Sequence, residues 1–154
     1  TTYYVDNLVQ DIGTYVKTGE NNNIRNVYVR IKYTVDIDNP STDNIDEENS
    51  QRLSLVFDPT KITTSTSYTA DDYKHWVYNE EDSYYYYLGE VGGDDWVQFN
   101  KGYYVDNSLN NRIANYNVHI RFQIEAIQKP YGAYKAVWTT APTIFETFTQ
   151  QIIQ

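Results

Sequence analysis

"VYVRIKYTVDI", residues 27 to 37, carries the clearest structural signal in the chain. Val27, Val29, Ile31, Tyr33, Val35 and Ile37 alternate there with Tyr28, Arg30, Lys32, Thr34 and Asp36. Successive side chains of an extended chain point to opposite faces, so an apolar residue at every second position collects the whole set on one side. The segment is predicted as a half-buried antiparallel strand with its polar positions in water. The pattern returns in "NVHIRFQIEAI", residues 117 to 127. Val118, Ile120, Phe122, Ile124 and Ala126 share one face there, and Asn117, His119, Arg121, Gln123 and Glu125 share the other. These two long strands are expected to form the centre of the core.

Shorter strands are predicted on either side of this pair. They are "RLSLVFD" with Leu53, Leu55 and Phe57 inward, "KHWVYN" around Trp76, "YYYYLGE" from Tyr84, "DWVQFNKGYYV" from Asp95, and "AYKAVW" ending at Trp138. "TGENNN" at 18 to 23, "GGDD" at 92 to 95 and "DNSLNNR" at 106 to 112 read as turns, because Gly and Asn tolerate left-handed backbone. "DNPSTDNIDEENSQ", 38 to 51, is acidic, lacks any period and reads as a solvated loop. Seven or eight strands punctuated in this way predict an all-β fold. The expected form is a two-sheet antiparallel sandwich, jelly-roll-like, with extended terminal segments. The expected organisation is an N-terminal extended tail at 1–12, a β-sandwich domain at 13–138 and a C-terminal tail at 139–154.

Composition narrows the function. A chain of 154 residues suits one domain. Twelve Lys and Arg against 21 Asp and Glu give a formal charge of -9, which repels phosphate backbones and anionic bilayers. Neither nucleic acid nor membrane insertion is expected, and no apolar run reaches the roughly 20 residues that span a bilayer. The chain starts at Thr1 and has no Met, which suggests a processed product or an excised fragment whose leader has been removed. With no Cys, it has no disulfide, no thiol nucleophile and no cysteine zinc site. Seventeen Tyr is the outlying count, and Tyr with Thr, Val and Ile is strand composition.

Motifs for chemistry are lacking. His75 and His119 stand in no metal-ligand spacing, and neither G-x-S-x-G nor a glycine-rich phosphate loop is present. Asp36, Asp38, Asp43, Asp46, Glu47 and Glu48 are oxygen-rich, as calcium requires, but Pro40 and the absence of Gly break the EF-hand pattern. Glu80, Glu81, Asp82, Asp94 and Asp95 fall in turns, where adjacent acids are ordinarily solvated rather than paired for glycoside hydrolysis. No enzyme activity and no cofactor are expected. Exposed Tyr or Trp faces are also how β-sandwich modules hold sugars, unless Trp76, Trp96 and Trp138 are core residues.

The tyrosine run raises the question of self-assembly. In a strand, Tyr84 and Tyr86 face one way and Tyr85 and Tyr87 the other, so one pair fills a core and the other is left at a surface. A tyrosine ring covers apolar area and keeps a hydroxyl for water, which suits an interface.

"NVYVRIKYTV", "LSLVFDPTKI", "HWVYNEEDSYYYYLGEV" and "VHIRFQIEAIQ" followed by "AVW" form an ordered series. This series resembles the TasA and camelysin family of secreted bacterial surface and biofilm-matrix fibre proteins, whose export depends on a specialised signal peptidase. Asn26 to Lys32 match the family's N-V/A-Y-V-R-V/I-K strand. Trp76 with Tyr84 to Tyr87 match its Trp and tyrosine run, and Glu125 to Gln128 with Trp138 match its closing strand. "TTYYVDN" is similar to the start of a mature family chain. The resemblance covers residues 3 to 138 in outline. "GEVGGDDWVQF" departs from the usual P-G-E-T turn, the acidic insertion at 38 to 51 is atypical, and the C-terminal stretch has no counterpart.

The resemblance implies an extracellular structural subunit that polymerises head-to-tail with copies of itself by donor-strand exchange. The expected self-assembly residues are Tyr3, Tyr4, Val5, Leu8 and Val9 of the N-terminal tail, with Tyr85 and Tyr87 at the surface. Ile144, Phe145, Phe148, Ile152 and Ile153 are the competing donor, and their spacing also suits a short amphipathic helix. The alternative function is a monomeric adhesin or carbohydrate-binding module contacting a cell surface or glycan. Some family members carry a metallopeptidase label, for which this chain has no zinc-ligand motif.

Overall fold

A computed structural model of the chain describes residues 9–10, 14–16, 27–39, 44–45, 53–63, 69, 74–92, 96–105, 117–128 and 134–146. These are mostly strand, with little helix, and antiparallel pairing dominates. In chain order the strands are β1 (Val9–Gln10), β2 (Thr14–Val16), β3 (Val27–Asn39), β4 (Asn44–Ile45), β5 (Leu53–Val56), β6 (Ile62–Thr63), β7 (Trp76–Asn79), β8 (Tyr84–Tyr87), β9 (Val97–Asn100), β10 (Gly102–Val105) and β11 (Asn117–Gln128). A helical turn, α1 (Tyr134–Val137), follows β11. The fold is all-β, as the alternation predicts.

The strands form a sheet in the order β1-β10-β5, a six-stranded sheet in the order β11-β3-β8-β7-β6 with β4 on β3, and a pair β2-β9. The chain divides into two compact units. One comprises Thr1–Thr14, Tyr33–Phe57 and Asn100–Phe122, and the other Tyr15–Lys32, Asp58–Phe99 and Gln123–Gln154. The first holds the β1-β10-β5 sheet, in which Val9 lies opposite Tyr104 and Tyr103 opposite Leu55. Ile37 and Leu55 are buried in this unit.

The second unit holds the larger core. Tyr28, Val77, Tyr84, Tyr86, Leu88, Tyr134, Trp138, Ile144 and Phe145 pack together, with Ile127 and Ala141 against them. Val27, Val29 and Ile31 of β3 are buried, as their alternation predicts. The opposite face of β3 is covered at its start, however, although Thr34 farther along is exposed. Tyr28 is also fully buried, and the Arg30 side chain is only 11% exposed. Period two assigns residues to faces, but only a covering layer decides whether the second face is wet.

Several elements depart from expectation. "AYKAVW" is not a strand: Tyr134 and Trp138 are buried while Lys135, Ala136 and Val137 between them are exposed. That i, i+4 spacing belongs to a helical turn, and Trp138 N–H donates to Tyr134 O at 2.6 Å. "DWVQFNKGYYV" is two strands interrupted at Lys101, whose N–H donates to Val56 O at 2.7 Å. The acidic loop contains β4, which returns antiparallel onto the end of β3 with Ile45 opposite Asp38. β6 pairs with β7 in parallel, Ile62 beside Trp76, a pairing the sequence reading did not contain. In β11, Ile124 is 51% exposed and Ala126 is exposed, whereas Glu125 and Ile127 are half-buried. The inward face expected there is reversed at its C-terminal end, where the second unit uses a carboxylate.

The C-terminal segment does not stop being structured at Trp138. Pro142 fixes the backbone ahead of a helical turn at 143–146, and Ile144 and Phe145 are buried to 2% and 0% exposure. No described helix is long and apolar enough to cross a membrane.

Candidate functional site

The site grows from the β7–β8 hairpin. Asn79 lies opposite Tyr84, which leaves Glu80, Glu81, Asp82 and Ser83 as the connection. Ser83 takes a left-handed φ of 63° and donates its N–H to Asn79 O at 2.8 Å. Asp82 Oδ1 accepts from the Tyr84 N–H at 3.0 Å, the Asx arrangement that a short polar side chain makes in a turn. The acid is thereby aimed back at β8. It is not the solvated turn carboxylate the sequence predicts, because its side chain is only 11% exposed.

On the Tyr84 and Tyr86 side, Arg30 of β3 lies under the core. Its Nε donates to Glu125 Oε2 at 2.6 Å, and its Nη1 donates to the Tyr86 hydroxyl at 2.9 Å. Its guanidinium carbon is 4.1 Å from the Tyr84 ring centroid and 4.9 Å from that of Trp138. A planar, weakly hydrated cation suits a slot between aromatic faces, and two carboxylates complete its neutralisation. Tyr86 donates its hydroxyl to Asp82 Oδ2, which also accepts from Thr140 Oγ1 at 2.7 Å. Asn79 Nδ2 donates to Thr140 O at 2.8 Å. The hairpin therefore fastens the segment after Trp138 through one threonine.

The protonation states follow from these contacts. Burial alone would raise the Asp82 carboxyl, but hydrogen bonds from Tyr86, Thr140, the Tyr84 N–H and Asn79 outweigh it and hold the group below the usual carboxylate range. Burial opposes the Arg30 charge too, and Tyr86 and Glu125 reverse that effect. Burial and the bond to Asp82 push Tyr86 up to about 12. Tyr28, buried beside Glu90 and Tyr134, is also pushed up to about 12. The centre holds the Arg30 cation and the Asp82 carboxylate in their charged forms. Its guanidinium donates to the chain's own groups, so the charged centre joins β3, the β7–β8 hairpin, β11 and the segment at Thr140.

The other side of β8 is built from rings. Tyr87 lies opposite Trp76, with centroids 5.0 Å apart, and Phe99 meets Trp76 edge-on at 5.0 Å. Trp76 Nε1 donates to Gln98 O at 2.9 Å, so the indole is buried with its one donor satisfied. Tyr85 lies opposite Tyr78 at 4.8 Å and touches Phe99 at 5.3 Å. Tyr78 is 41% exposed, and this side of the hairpin reaches solvent through it.

The expected self-assembly residues are therefore separated. Tyr3, Tyr4, Val5 and Leu8 lie outside the described residues. Val9 pairs with β10 of its own chain, Tyr85 is half-buried, and Tyr87 is 4% exposed against Trp76. Trp76 and Trp138 are core residues, whereas Trp96 is 65% exposed. Most of the acidic loop falls outside the described residues, and Asp36 pairs with Arg121 at 3.5 Å. Among the described residues no cluster of three or more His, Asp or Glu is placed to hold a metal ion. Sequence reasoning missed Arg30, Asp82, Glu125 and Thr140. The one local signal was an Asp two residues before a strand, in a position to cap its first N–H. No protein-family model matches the chain, and no curated protein and no solved structure matches it.

Proposed function

We propose that the chain is a non-catalytic structural subunit of a bacterial cell-surface or biofilm-matrix filament, exported from the cell and assembled head-to-tail by donor-strand exchange. The finer fold reading that goes with it is a jelly-roll-like sandwich of the TasA and camelysin kind. The observation that carries the proposal is the place of β1. Val9 and Gln10 add antiparallel to the margin of β10, as the outermost strand of a three-stranded sheet. A two-residue strand at a sheet edge is held mainly by main-chain hydrogen bonds, so the same segment of a second copy fits the same edge. Exchange of an identical element between copies, without rotational closure, builds a filament. Tyr3, Tyr4, Val5 and Leu8, which precede β1, are the residues proposed to extend the exchanged strand.

The test is electron microscopy and sedimentation of the intact chain beside two variants, one lacking residues 1–10 and one carrying Val9→Pro. Filaments from the intact chain and monomers from both variants are expected. Filaments from all three would move the donor elsewhere, and a monomeric intact chain that binds glycans would replace the proposal with the adhesin reading.

A further inference from the structure

The chain has no cysteine and 17 tyrosines, so any covalent bridge between its side chains must use other chemistry than a disulfide. Two tyrosines are placed for such a bridge. Tyr78 and Tyr85 are directly opposite on the antiparallel strands β7 and β8, with ring centroids 4.8 Å apart and ring planes inclined by 45°. A directly opposed pair holds its Cβ atoms about 5 Å apart, so the two rings start side by side and need only a small rotation to meet. We propose that Tyr78 and Tyr85 form an oxidative cross-linking site that staples the β7–β8 hairpin through a carbon–carbon bond.

The chemistry balances with a peroxide as oxidant and a one-electron catalyst such as a haem peroxidase. Each phenol loses one electron and one proton to give a phenoxyl radical. The two radicals join between the ring carbons ortho to their hydroxyls. Each of those carbons then loses its hydrogen as a proton while the phenoxyl oxygen regains one, which restores two aromatic phenols. The pair has lost two hydrogen atoms in all, and one hydrogen peroxide has become two waters. The step that limits such coupling in solution is the meeting of two radicals. Here the partner ring is already in place, which is the advantage that orientation gives any intramolecular reaction.

Exposure and charge single out this pair from its neighbours on β8. Tyr78 is 41% exposed and open to a soluble oxidant, whereas Tyr84, Tyr86 and Tyr87 are exposed to only 8%, 0% and 4%. Tyr84 and Tyr86 are also farther from each other, at 6.5 Å. The Arg30 guanidinium lies 4.1 Å and 5.8 Å from their centroids, and a cation on a ring opposes removal of an electron from it. Tyr85 packs its edge on Phe99 at 5.3 Å, which holds one of the two reacting rings while the exposed one moves onto it.

The test treats the folded full-length chain with hydrogen peroxide and a haem peroxidase, then digests it with trypsin and with a glutamyl endopeptidase. Trypsin releases residues 75–101 as one peptide, and cleavage after Glu80 and Glu81 separates Tyr78 from the tyrosine run. The expected product is the 75–101 peptide lighter by two hydrogen atoms, with its 75–80 and 82–90 fragments still joined after the second cleavage and showing biphenol fluorescence. Tyr78→Phe and Tyr85→Phe should each abolish the joined species, and Tyr87→Phe should leave it. The proposal is overturned if the folded chain gives only links between chains, if Tyr78 couples equally to other tyrosines, or if urea-unfolded chain gives the same product in the same yield. The outcome is independent of polymerisation, because the link lies within one hairpin.

Discussion

Tyr84 and Tyr86 face one side of β8 and Tyr85 and Tyr87 the other, and the two sides hold the same residue type by different means. On the first, the rings surround a cation, their hydroxyls are bonded to carboxylates, and Trp138, Ile144 and Phe145 close over them. On the second, Trp76, Phe99 and Tyr78 supply ring-to-ring contacts, and the side opens to solvent at Tyr78. The difference comes from the partners. Arg30 stands 56 residues from Tyr86 and 95 from Glu125, and Thr140 stands 58 from Asp82. Four identical side chains thus acquire three environments: charged and dry, aromatic and dry, and aromatic and half-buried.

The largest expected effect is on the closed side. Phe145 is fully buried and contacts Tyr28, Tyr86, Tyr134 and Trp138, so Phe145→Ala should cost about 3–5 kcal/mol by lost burial and a residual cavity. Urea denaturation of the full chain measures it. A loss below about 1 kcal/mol would mean that the C-terminal segment does not close this side.

A smaller effect separates the sides by charge. Tyr86→Phe removes the hydroxyl that donates to Asp82 and accepts from Arg30, which should cost about 1–3 kcal/mol at neutral pH. It should also change the alkaline limb of stability. The folded Tyr86 phenol, at about 12, keeps its proton more tightly than the unfolded one at 10.0, so this stabilisation is complete below pH 10 and fades as pH rises towards 12. Denaturation at pH 8 and pH 11 should show a shallower alkaline loss in the variant. Asp82 has the opposite sign. Its depressed folded value contributes above the ordinary 3.8 and is lost as pH falls below that, so Asp82→Asn should flatten the acid limb. Unchanged limbs in both variants would remove the charged centre from the description.

The smallest effect belongs to the open side. Tyr78→Ala gives up a cross-strand ring pair at a position already 41% exposed, and should cost less than about 1 kcal/mol by the same denaturation measurement. A cost equal to that of Phe145→Ala would erase the distinction between the two sides.

Much of the fold was legible from alternation. Val27, Val29, Ile31 and Ile37 are buried as predicted, and the strands around Leu55, Trp76 and the tyrosine run lie where the pattern put them. Short elements were not. α1 has four residues, too few to distinguish a period of 3.6 from one of 2 when both place Tyr134 and Trp138 on one side. β1, β4 and β6 have two residues each and carry no pattern of their own, so only their partners make them strands. The charged centre was the least legible part, since Arg30 and Glu125 both occupy the polar phase of a strand, where the ordinary destination is water.

Which residues share a face follows from their order along the chain, because the two-residue repeat of an extended backbone is a local property. Which faces are covered depends on segments that lie far apart in the chain and meet only on folding. Covering Arg30 requires Glu125, Asp82 and Trp138 to arrive from other segments, and that convergence is favourable only when the cation, its carboxylates and the surrounding rings are buried together.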